Sequence, residues 1–237
     1  PPHSMNPVEQ LCFIGGRGMG ALEFEPTQLQ PSKQTFSVEM KTLVDVAKKM
    51  LAEREGFDVN IQKDEQKAMT EILKIGTSAG GARPKAVIAY NKKTGEVRSG
   101  QTIAPKGFEH WLLKLDGVSD TQFGESIGYG RVEYAYHLMA LDCQIEMMEC
   151  DLLEENGRAH FMTKRYDRDG NDTKHHAQTF CGLQHFDYNH LYSYSYEQLF
   201  QTMRMLRLTY PEAEQMFRRM VFNVMSTNYD DHTKNFS

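Results

Sequence analysis

The sequence contains little that could cross-link the chain or hold it in a membrane. Only four of its 237 residues are cysteines, and none forms a CxxC pair, so we expect reduced, buried thiols. No apolar run reaches the length of a membrane span, and the opening residues lack the apolar region of a signal peptide. We therefore expect a cytoplasmic protein without a membrane segment.

A strong charge of one sign is lacking as well. The chain has 27 basic and 32 acidic residues, a formal net charge of −5, and 40% hydrophobic residues. Proteins that bind nucleic acid directly are usually basic, so direct DNA binding is not expected, whereas the apolar content suffices for a sizeable core. The histidines of segment 172–196 lack the paired spacing of structural zinc sites, and no zinc site is predicted.

The pattern of apolar residues predicts an α+β chain. Apolar positions three and four residues apart predict helices over residues 38–54, 64–73, 128–141 and 211–225, with a further helix after the capping box at Ser195. Short apolar runs bounded by turns predict strands over residues 86–90, 96–98, 110–115, 143–150 and 159–166. Because most strands precede the last helices, we expect two lobes.

Two glycine clusters have different contexts. The first, Gly15–Gly20, leads to a short extended segment and a proline, which predicts a tight turn and not a dinucleotide-binding loop. The second, Gly76–Lys85, contains small residues and a basic pair and is followed at once by a predicted strand. Backbone amides in such a segment can approach phosphate oxygens because no side chain blocks them. The alternative is a flexible linker.

A single lysine, Lys114, interrupts the apolar run His110–Leu115. An ammonium group is expensive to bury unless an anionic partner compensates it. The lysine therefore either lies on an edge strand with its head in water or meets a phosphate or carboxylate. The predicted helix 128–141 carries one acid, Glu133, that could provide that carboxylate.

The last residues, Asn228–Asn235, place an acid, an imidazole, an ammonium and an amide directly after an amphipathic helix. Asp230 and Asn235 are five positions apart. This is the spacing of a protein-kinase catalytic loop, in which the aspartate accepts the hydroxyl proton and the asparagine holds magnesium. A solvated loop after a helix is the alternative. The ordered set of glycine loop, strand lysine, helix glutamate and Asp–Asn loop favours phosphoryl transfer by a kinase.

Several stretches of the sequence resemble the HipA family. These are the turn Arg17–Leu22, the glycine loop Ser78–Ala86, Lys114, the charged run Lys164–Arg168, Phe222–Asn223 and the terminal motif Asp230–Ser237. The family consists of bacterial serine/threonine kinases that serve as toxins of toxin–antitoxin pairs. The resemblance implies a two-lobed, protein-kinase-like fold, with a mixed N-terminal lobe of antiparallel strands and a mainly helical C-terminal lobe, incomplete in this chain.

The resemblance also implies roles for individual residues, with ATP and Mg²⁺ as the ligands. Asp230 would be the catalytic base, Asn235 a magnesium ligand, and Lys114 the partner of the α- and β-phosphates, itself paired with Glu133. The other implied nucleotide-binding residues, besides Asn235, are Gly80, Gly81, Ala82, Arg83, Pro84, Lys85, Lys164, Arg165, Tyr166, His232, Thr233 and Lys234. Ser78 would be phosphorylated by the kinase itself, which would expel the glycine loop and switch the enzyme off.

Domains and partners follow from the same resemblance. We expect an N-terminal lobe over residues 1–166 and the start of a helical lobe over 167–237. The family has a β-rich subdomain before Pro7 and a second metal-binding aspartate after the catalytic loop. We therefore expect this chain to be part of a longer protein, and alone to bind ATP–magnesium poorly and to be inactive. Expected partners are a protein substrate, such as the glutamyl-tRNA synthetase that some relatives phosphorylate, an antitoxin, and DNA through that antitoxin. The alternative is an inactive kinase-fold subunit that docks an antitoxin as a co-repressor.

Overall fold

A computed structural model gives the fold. The structure describes residues 6–27, 35–52, 70, 72–73, 84–100, 103–118, 128–170, 173–190 and 193–237. The chain divides into two compact units, which we call the sheet unit (Pro1–Ala135 and Met148–His176) and the loop unit (Tyr136–Met147 and Ala177–Ser237). The predicted boundary between lobes, after residue 166, lies earlier in the chain than the boundary between units, after His176. The prediction also placed Tyr136–Met147 in the N-terminal lobe, whereas these residues belong to the loop unit.

The sheet unit is built on five antiparallel strands. They are β1 (Lys85–Tyr90), β2 (Val97–Ser99), β3 (Glu109–Lys114), β4 (Cys150–Glu155) and β5 (Arg158–Lys164). Their order across the sheet is β2-β1-β3-β5-β4, and every neighbouring pair is antiparallel. The predicted α+β class is confirmed, as are the positions of β1, β2, β3 and β5 to within one or two residues.

The fourth strand begins later than predicted. The sequence predicted a strand over 143–150, but the structure has strand at Cys150–Glu155 and none over residues 143–149. The reason lies in the turn, where Asn156 and Gly157 both have positive φ angles, 45° and 78°. A two-residue turn of this kind pairs the residues on either side of it, here Glu155 with Arg158, so the strand must run up to the turn.

One face of the sheet forms the hydrophobic core. Side chains alternate between the two faces along a strand, and on one face Ile88, Trp111 and Met162 have no exposed surface. This face packs with helix α2 (Met40–Ala52), whose Leu43 and Val44 belong to the same buried cluster. The predicted helix 38–54 thus agrees with α2, whereas most of the predicted helix 64–73 lies outside the described residues.

A first helix, α1 (Pro7–Ile14), was missed by the sequence reasoning, which predicted only turns there. Its start carries a capping box, because Asn6 Oδ1 accepts a hydrogen bond from the Glu9 amide and Glu9 Oε2 accepts one from the Asn6 amide. Proline at the first helical position adds to this signal. The pattern Asn-Pro-x-Glu could therefore have predicted the helix.

Four more helices complete the described fold. They are α3 (Tyr129–Asp142), α4 (Phe180–Gln184), α5 (Tyr196–Met205) and α6 (Tyr210–Met225). The capping box predicted at Ser195 is present, with Ser195 Oγ accepting from the Gln198 amide at 3.4 Å. Pro211 lies in the first turn of α6, where proline is favourable. Among the described residues, no helix is long and apolar enough to cross a membrane.

Candidate functional site

Two lysines lie opposite each other on the second face of the sheet. Lys85 of β1 is in register with Lys114 of β3, and directly opposed residues of an antiparallel pair project to the same side. Phe161 of β5 continues this row, and Lys114 Nζ lies 5.6 Å from the centre of its ring, within range of a cation–π contact. Like charges directly opposite each other destabilise a sheet unless negative charge lies nearby.

Lys114 also binds a carboxylate. Its Nζ donates to Glu133 Oε2 at 2.5 Å, and the two side chains are 32% and 27% exposed. An ion pair with this much solvent access contributes at most about 1 kcal/mol to stability, so its main effect is to direct the ammonium group. β3 lies between β1 and β5, which excludes the edge-strand alternative for this lysine.

The position of Glu133 depends on close packing at the start of α3. Asp116 Oδ1 accepts a hydrogen bond from the Gly128 amide at 2.9 Å, and Asp116 Oδ2 accepts one from the Ala159 amide at 3.3 Å. At Gly130 a β-carbon would lie 1.8 Å from the Ala159 carbonyl oxygen. Only a glycine allows the first turn of α3 to lie against the backbone of β5, and this contact brings Glu133 within reach of Lys114.

A buried histidine, His160, helps to hold Asp116 in place. His160 has no exposed surface, and its Nδ1 accepts a hydrogen bond from the Asp116 amide at 2.9 Å. Burial is the largest cause of a lowered His160 pKa, and the charge of Arg158 lowers it further, against the opposing effects of Glu155 and Asp116. The imidazole is therefore neutral in the folded protein at neutral pH.

The end of β5 and the two residues after it include three of the predicted nucleotide-binding residues. Lys164 Nζ donates to a carboxylate oxygen of Glu109, and the Arg165 amide donates to the His110 carbonyl at 2.9 Å. Tyr166 lies between two buried residues, Arg165 and Asp167, and is itself 48% exposed. The segment thus offers an exposed aromatic side chain on a firmly held backbone.

In the loop unit, the candidate catalytic loop is held by its own side chains. The Asp230 amide donates to Asn228 Oδ1 at 3.1 Å, and Asn235 Nδ2 donates to the Asp230 carbonyl. The Asp230 side chain is 83% exposed, with His232 Nε2 3.4 Å from its Oδ1. The spacing of five residues therefore places the Asn235 amide against the backbone of Asp230 and leaves the Asp230 carboxylate open to a substrate.

The neighbouring aspartate has a different environment. Asp231 Oδ2 accepts a hydrogen bond from the Tyr196 hydroxyl at 2.6 Å, and Asn223 Nδ2 donates to the same hydroxyl at 2.9 Å. Burial and the carboxylate of Asp231 raise the pKa of Tyr196 to about 12, so the phenol stays protonated and remains a donor. Of the two adjacent acids, Asp231 is engaged in the structure of the loop and Asp230 is available for chemistry.

The far end of the loop is fixed to α4. The Cys181 amide donates to the Thr233 carbonyl at 3.1 Å, and the Phe180 amide donates to the Phe236 carbonyl at 2.8 Å. Lys234 Nζ lies 4.8 Å from the centre of the Tyr188 ring. These contacts hold both backbone and side chains of the loop to the preceding helical segment.

A cavity of about 300 Å³ lies beside this loop and is lined mainly by aromatic residues. His232 Nδ1 and Thr233 Oγ1 are buried there without a hydrogen-bond partner among the described residues. A molecule bound in the cavity could form hydrogen bonds with these two atoms. His232 and Thr233 were both predicted to contact a nucleotide, and that role stays a prediction.

The described residues offer a limited set of magnesium ligands. Among them, no three His, Cys, Asp or Glu side chains cluster as a metal site would require. The Asn235 amide nitrogen already donates to Asp230, so its Oδ1 is the atom that remains for a cation. Magnesium commonly takes one or two protein oxygens and completes its shell with phosphate oxygens and water, and Asn235 fits that mode.

The structure brings together two sets of the predicted catalytic and phosphate-binding residues. Lys85, Lys114 and Glu133 are brought together in the sheet unit. Asp230 and Asn235 are brought together in the loop unit, and the meeting of these two sets at one nucleotide stays a prediction. The glycine-loop residues Gly80, Gly81, Ala82 and Arg83, together with Ser78, lie outside the described residues.

Comparison of the whole chain with solved structures shows the class of fold. The chain matches a chain in the complex of HipA, HipB and operator DNA from the toxin–antitoxin system of Shewanella oneidensis MR-1, with a TM-score of 0.65 and 16% sequence identity. The match covers 98% of this chain and 53% of that one, so this chain spans about half the length of the protein it matches. The predicted HipA-like, kinase-like fold is confirmed.

The family is shown by the sequence itself. Residues 77–237 match the HipA-like C-terminal domain, which is more than half of the chain, and the chain belongs to this family. A comparison with curated proteins gave no match. The resemblance expected from the sequence motifs is thereby confirmed at the level of the family.

Proposed function

We propose that this chain carries the ATP-binding and catalytic residues of a magnesium-dependent serine/threonine protein kinase of the HipA type. The observation that carries the proposal is the opposition of Lys85 and Lys114 on one sheet face, with Glu133 bound to Lys114. Two ammonium groups on the same sheet face attract negative charge. A triphosphate provides that charge, and lysine is a common phosphate ligand as a point charge.

The loop unit supplies the chemistry of transfer. A substrate hydroxyl placed beside the open carboxylate of Asp230 gives its proton to that carboxylate while its oxygen bonds to the γ-phosphorus of ATP. The bond from the γ-phosphorus to the bridging oxygen breaks, and ADP leaves. Asp230 fits the role of base because its side chain is 83% exposed, whereas Asp231 is occupied by Tyr196.

Asn235 would hold the magnesium ion through Oδ1. When bound, the ion neutralises charge on the transferring phosphoryl group and its leaving oxygen. The hydrogen bond from Asn235 Nδ2 to the Asp230 carbonyl fixes the distance between the metal ligand and the base. Asn235 therefore links the two groups on which transfer depends.

The biological role proposed here is that of the toxin in a toxin–antitoxin pair. The matched solved structure contains HipA, HipB and operator DNA, which supports an antitoxin partner and contact with DNA through it. Phosphorylation of Ser78 by the kinase itself is proposed as the switch to the inactive state. The acceptor would be a serine or threonine of a protein substrate, such as a glutamyl-tRNA synthetase.

The lysine that carries the proposal provides its test. We expect Lys114→Met in the intact protein to reduce ATP affinity at least roughly tenfold, because it removes a charge contact to the phosphates worth about 1.5–3 kcal/mol. Lys92→Met is the matched control, since Lys92 also binds a glutamate, Glu149, and is 41% exposed. Affinity is measured by calorimetry with ATP and magnesium, and transfer by incorporation of γ-labelled phosphate.

Two outcomes separate the kinase from the co-repressor alternative. Label incorporation that is lost in Lys114→Met and retained in Lys92→Met supports the kinase. Antitoxin binding by the wild-type protein, without ATP binding or label incorporation, contradicts the kinase and supports the docking subunit.

A further inference from the structure

Asp167 is a fully buried acid with four hydrogen-bond donors around it. Arg165 Nε donates to its Oδ1 at 2.9 Å. Its Oδ2 accepts from Arg165 Nη2 at 2.7 Å, from Arg168 Nη1 at 2.9 Å and from the Gly20 amide at 2.7 Å. Neither the carboxylate nor the two guanidinium groups is open to solvent, with side-chain exposures of 0%, 2% and 7%.

The same arginines reach across to the turn after α1. Arg168 Nη1 donates to the Gly20 carbonyl at 3.1 Å, and Arg168 Nη2 donates to the Gly18 carbonyl at 3.2 Å. Arg165 Nη2 also donates to the Gly18 carbonyl, at 3.4 Å. We call Asp167, Arg165, Arg168, Gly18 and Gly20 the Asp167 cluster. It joins two segments that are about 150 residues apart in sequence.

The charges of this cluster make Asp167 indispensable to it. Two buried guanidinium groups converge on one carboxylate, and removal of a buried partner leaves uncompensated charge. Burial alone would raise the pKa of Asp167. The hydrogen bonds and charge of Arg165, the Gly20 amide and the charge of Arg168 outweigh burial and lower the pKa instead. Asp167 is therefore ionised in the folded protein at neutral pH.

The cluster encloses the segment Lys164–Tyr166, which the family resemblance assigns to the nucleotide, with the adenine base against it. Arg165 and Asp167 flank Tyr166, and the Arg165 amide is also bound to the His110 carbonyl of β3. The backbone of residues 164–168 is thus fixed on one side by the sheet and on the other by the glycine turn. Tyr166 remains exposed between two immobilised neighbours.

We propose that Asp167 is a positioning residue, which by binding Arg165, Arg168 and the Gly20 amide at once fixes the segment against which the adenine base lies. The inference rests on the proposed function. It differs from a general stabilising role in what it affects. Loss of the cluster would weaken the contact of the adenine base with residues 164–166. The contacts to the phosphates would remain, because the lysines proposed to make them belong to β1 and β3.

Arg168→Lys tests this, because it keeps the charge and the Arg165–Asp167 pair but weakens the contacts of residue 168 with Asp167 and with the glycine turn. The ligands are ATP and inorganic tripolyphosphate, which lacks the base, measured with the intact protein by calorimetry in the presence of magnesium. We expect ATP affinity to fall roughly tenfold, equivalent to about 1.4 kcal/mol, and tripolyphosphate affinity to stay the same. Arg131→Lys is the matched control, since Arg131 binds Glu154 at an exposed position and should leave both affinities unchanged.

A second measurement reports on the cluster without any ligand. Amide hydrogen exchange of residues 15–20 and 164–168 should become faster in Arg168→Lys and remain unchanged in Arg131→Lys, with Asp167→Asn having the larger effect if it folds. Faster exchange together with a selective loss of ATP affinity supports the inference. Equal losses for ATP and tripolyphosphate, or an unchanged ATP affinity, overturn it while the proposed function stands. Absence of ATP binding by the wild-type protein refutes both.

Discussion

The two units hold their acidic side chains in opposite ways. In the sheet unit, Asp116 and Asp167 are 2% and 0% exposed and accept hydrogen bonds from backbone amides, with two arginines added at Asp167. In the loop unit, the Asp230 side chain is 83% exposed and contacts only a partly exposed histidine among the described residues. A carboxylate with all its hydrogen-bonding positions used stabilises a structure, and one left open can accept a proton from a substrate. We therefore expect substitutions in the first unit to reduce stability and substitution of Asp230 to reduce activity.

Asp230→Asn should give the largest effect and is the sharpest test of this contrast. The amide cannot accept the hydroxyl proton, so phosphate incorporation by the intact protein should fall ~10²-fold or more. The melting temperature should not change, because the exposed side chain makes no contact that an amide would break. Incorporation of γ-labelled phosphate and thermal unfolding are the two measurements.

The adjacent residue provides the control for that prediction. Asp231→Asn makes the same chemical change one position later, and an amide oxygen can still accept from Tyr196. We expect activity within a few-fold of wild type. Equal loss of activity in the two variants, or full activity in Asp230→Asn, would contradict the assignment of the base.

Gly130→Ala should show the opposite behaviour, a loss of stability that spreads to the site. The added β-carbon would lie 1.8 Å from the Ala159 carbonyl oxygen, so α3 must move away from β5. Overpacking of this kind costs about 1–3 kcal/mol and occasionally more, and the shift should separate Glu133 from Lys114. Chemical denaturation measures the first effect and ATP affinity the second.

Gly170→Ala is the matched control for this substitution. A β-carbon at Gly170 would meet no atom within 4 Å, and its backbone does not have the positive φ that disfavours alanine. We expect its stability to remain within about 0.5 kcal/mol of wild type. A Gly130→Ala protein as stable as this control would show that α3 tolerates a gap from β5.

The smallest expected effect is on the pH dependence of stability in the sheet unit. The pKa of His160 is lowered in the folded protein, whereas the unfolded chain has an ordinary histidine pKa near 6.5. The unfolded state therefore binds more protons below pH 6.5. The contribution of the neutral imidazole is complete above that pH and is lost as the pH falls below it, with a slope of at most about 1.4 kcal/mol per pH unit.

This slope is measured by denaturation between pH 7.5 and 5.5. Carboxylates with ordinary pKa values titrate below this range. His160→Gln, which keeps an oxygen acceptor for the Asp116 amide, should flatten the dependence. His190→Gln should leave it unchanged, since the His190 side chain is 71% exposed. A slope that survives in His160→Gln would assign the titration to another group.

Local signals in the sequence predicted local structure well. The Asn156–Gly157 pair, the Ser195 capping box and the apolar run around Lys114 each depend on residues close together in the chain, and each marked an element that the structure contains. The prediction for β4 was wrong because it ended the strand at residue 150, whereas the two-residue turn at Asn156–Gly157 requires the strand to continue to Glu155. The capping box of α1 was present in the sequence and was overlooked.

The contacts that hold the candidate site could not be predicted in the same way. The Asp167 cluster joins residues 147 to 150 positions apart, and no periodicity or turn signal encodes such a distance. The local pattern showed only that the run 164–168 is highly charged. The burial of Arg165 and Asp167 depends on residues distant in the chain. Similarly, the need for glycine at position 130 arises from the carbonyl of Ala159 on another element. The pairing of Lys114 with Glu133 was suggested by the residues themselves, because Glu133 is the one acid of its predicted helix, and the family resemblance implied it as well.

The hydrogen bond from the side chain of residue 235 to the carbonyl of residue 230 limits which amino acid this position can hold. An aspartate would be the stronger magnesium ligand, yet it has no proton to give to that carbonyl and would repel it. Asparagine would bind a cation more weakly, but its Nδ2 can donate to the carbonyl while its Oδ1 remains an acceptor. The loop thus gives up a unit of negative charge in exchange for a fixed shape.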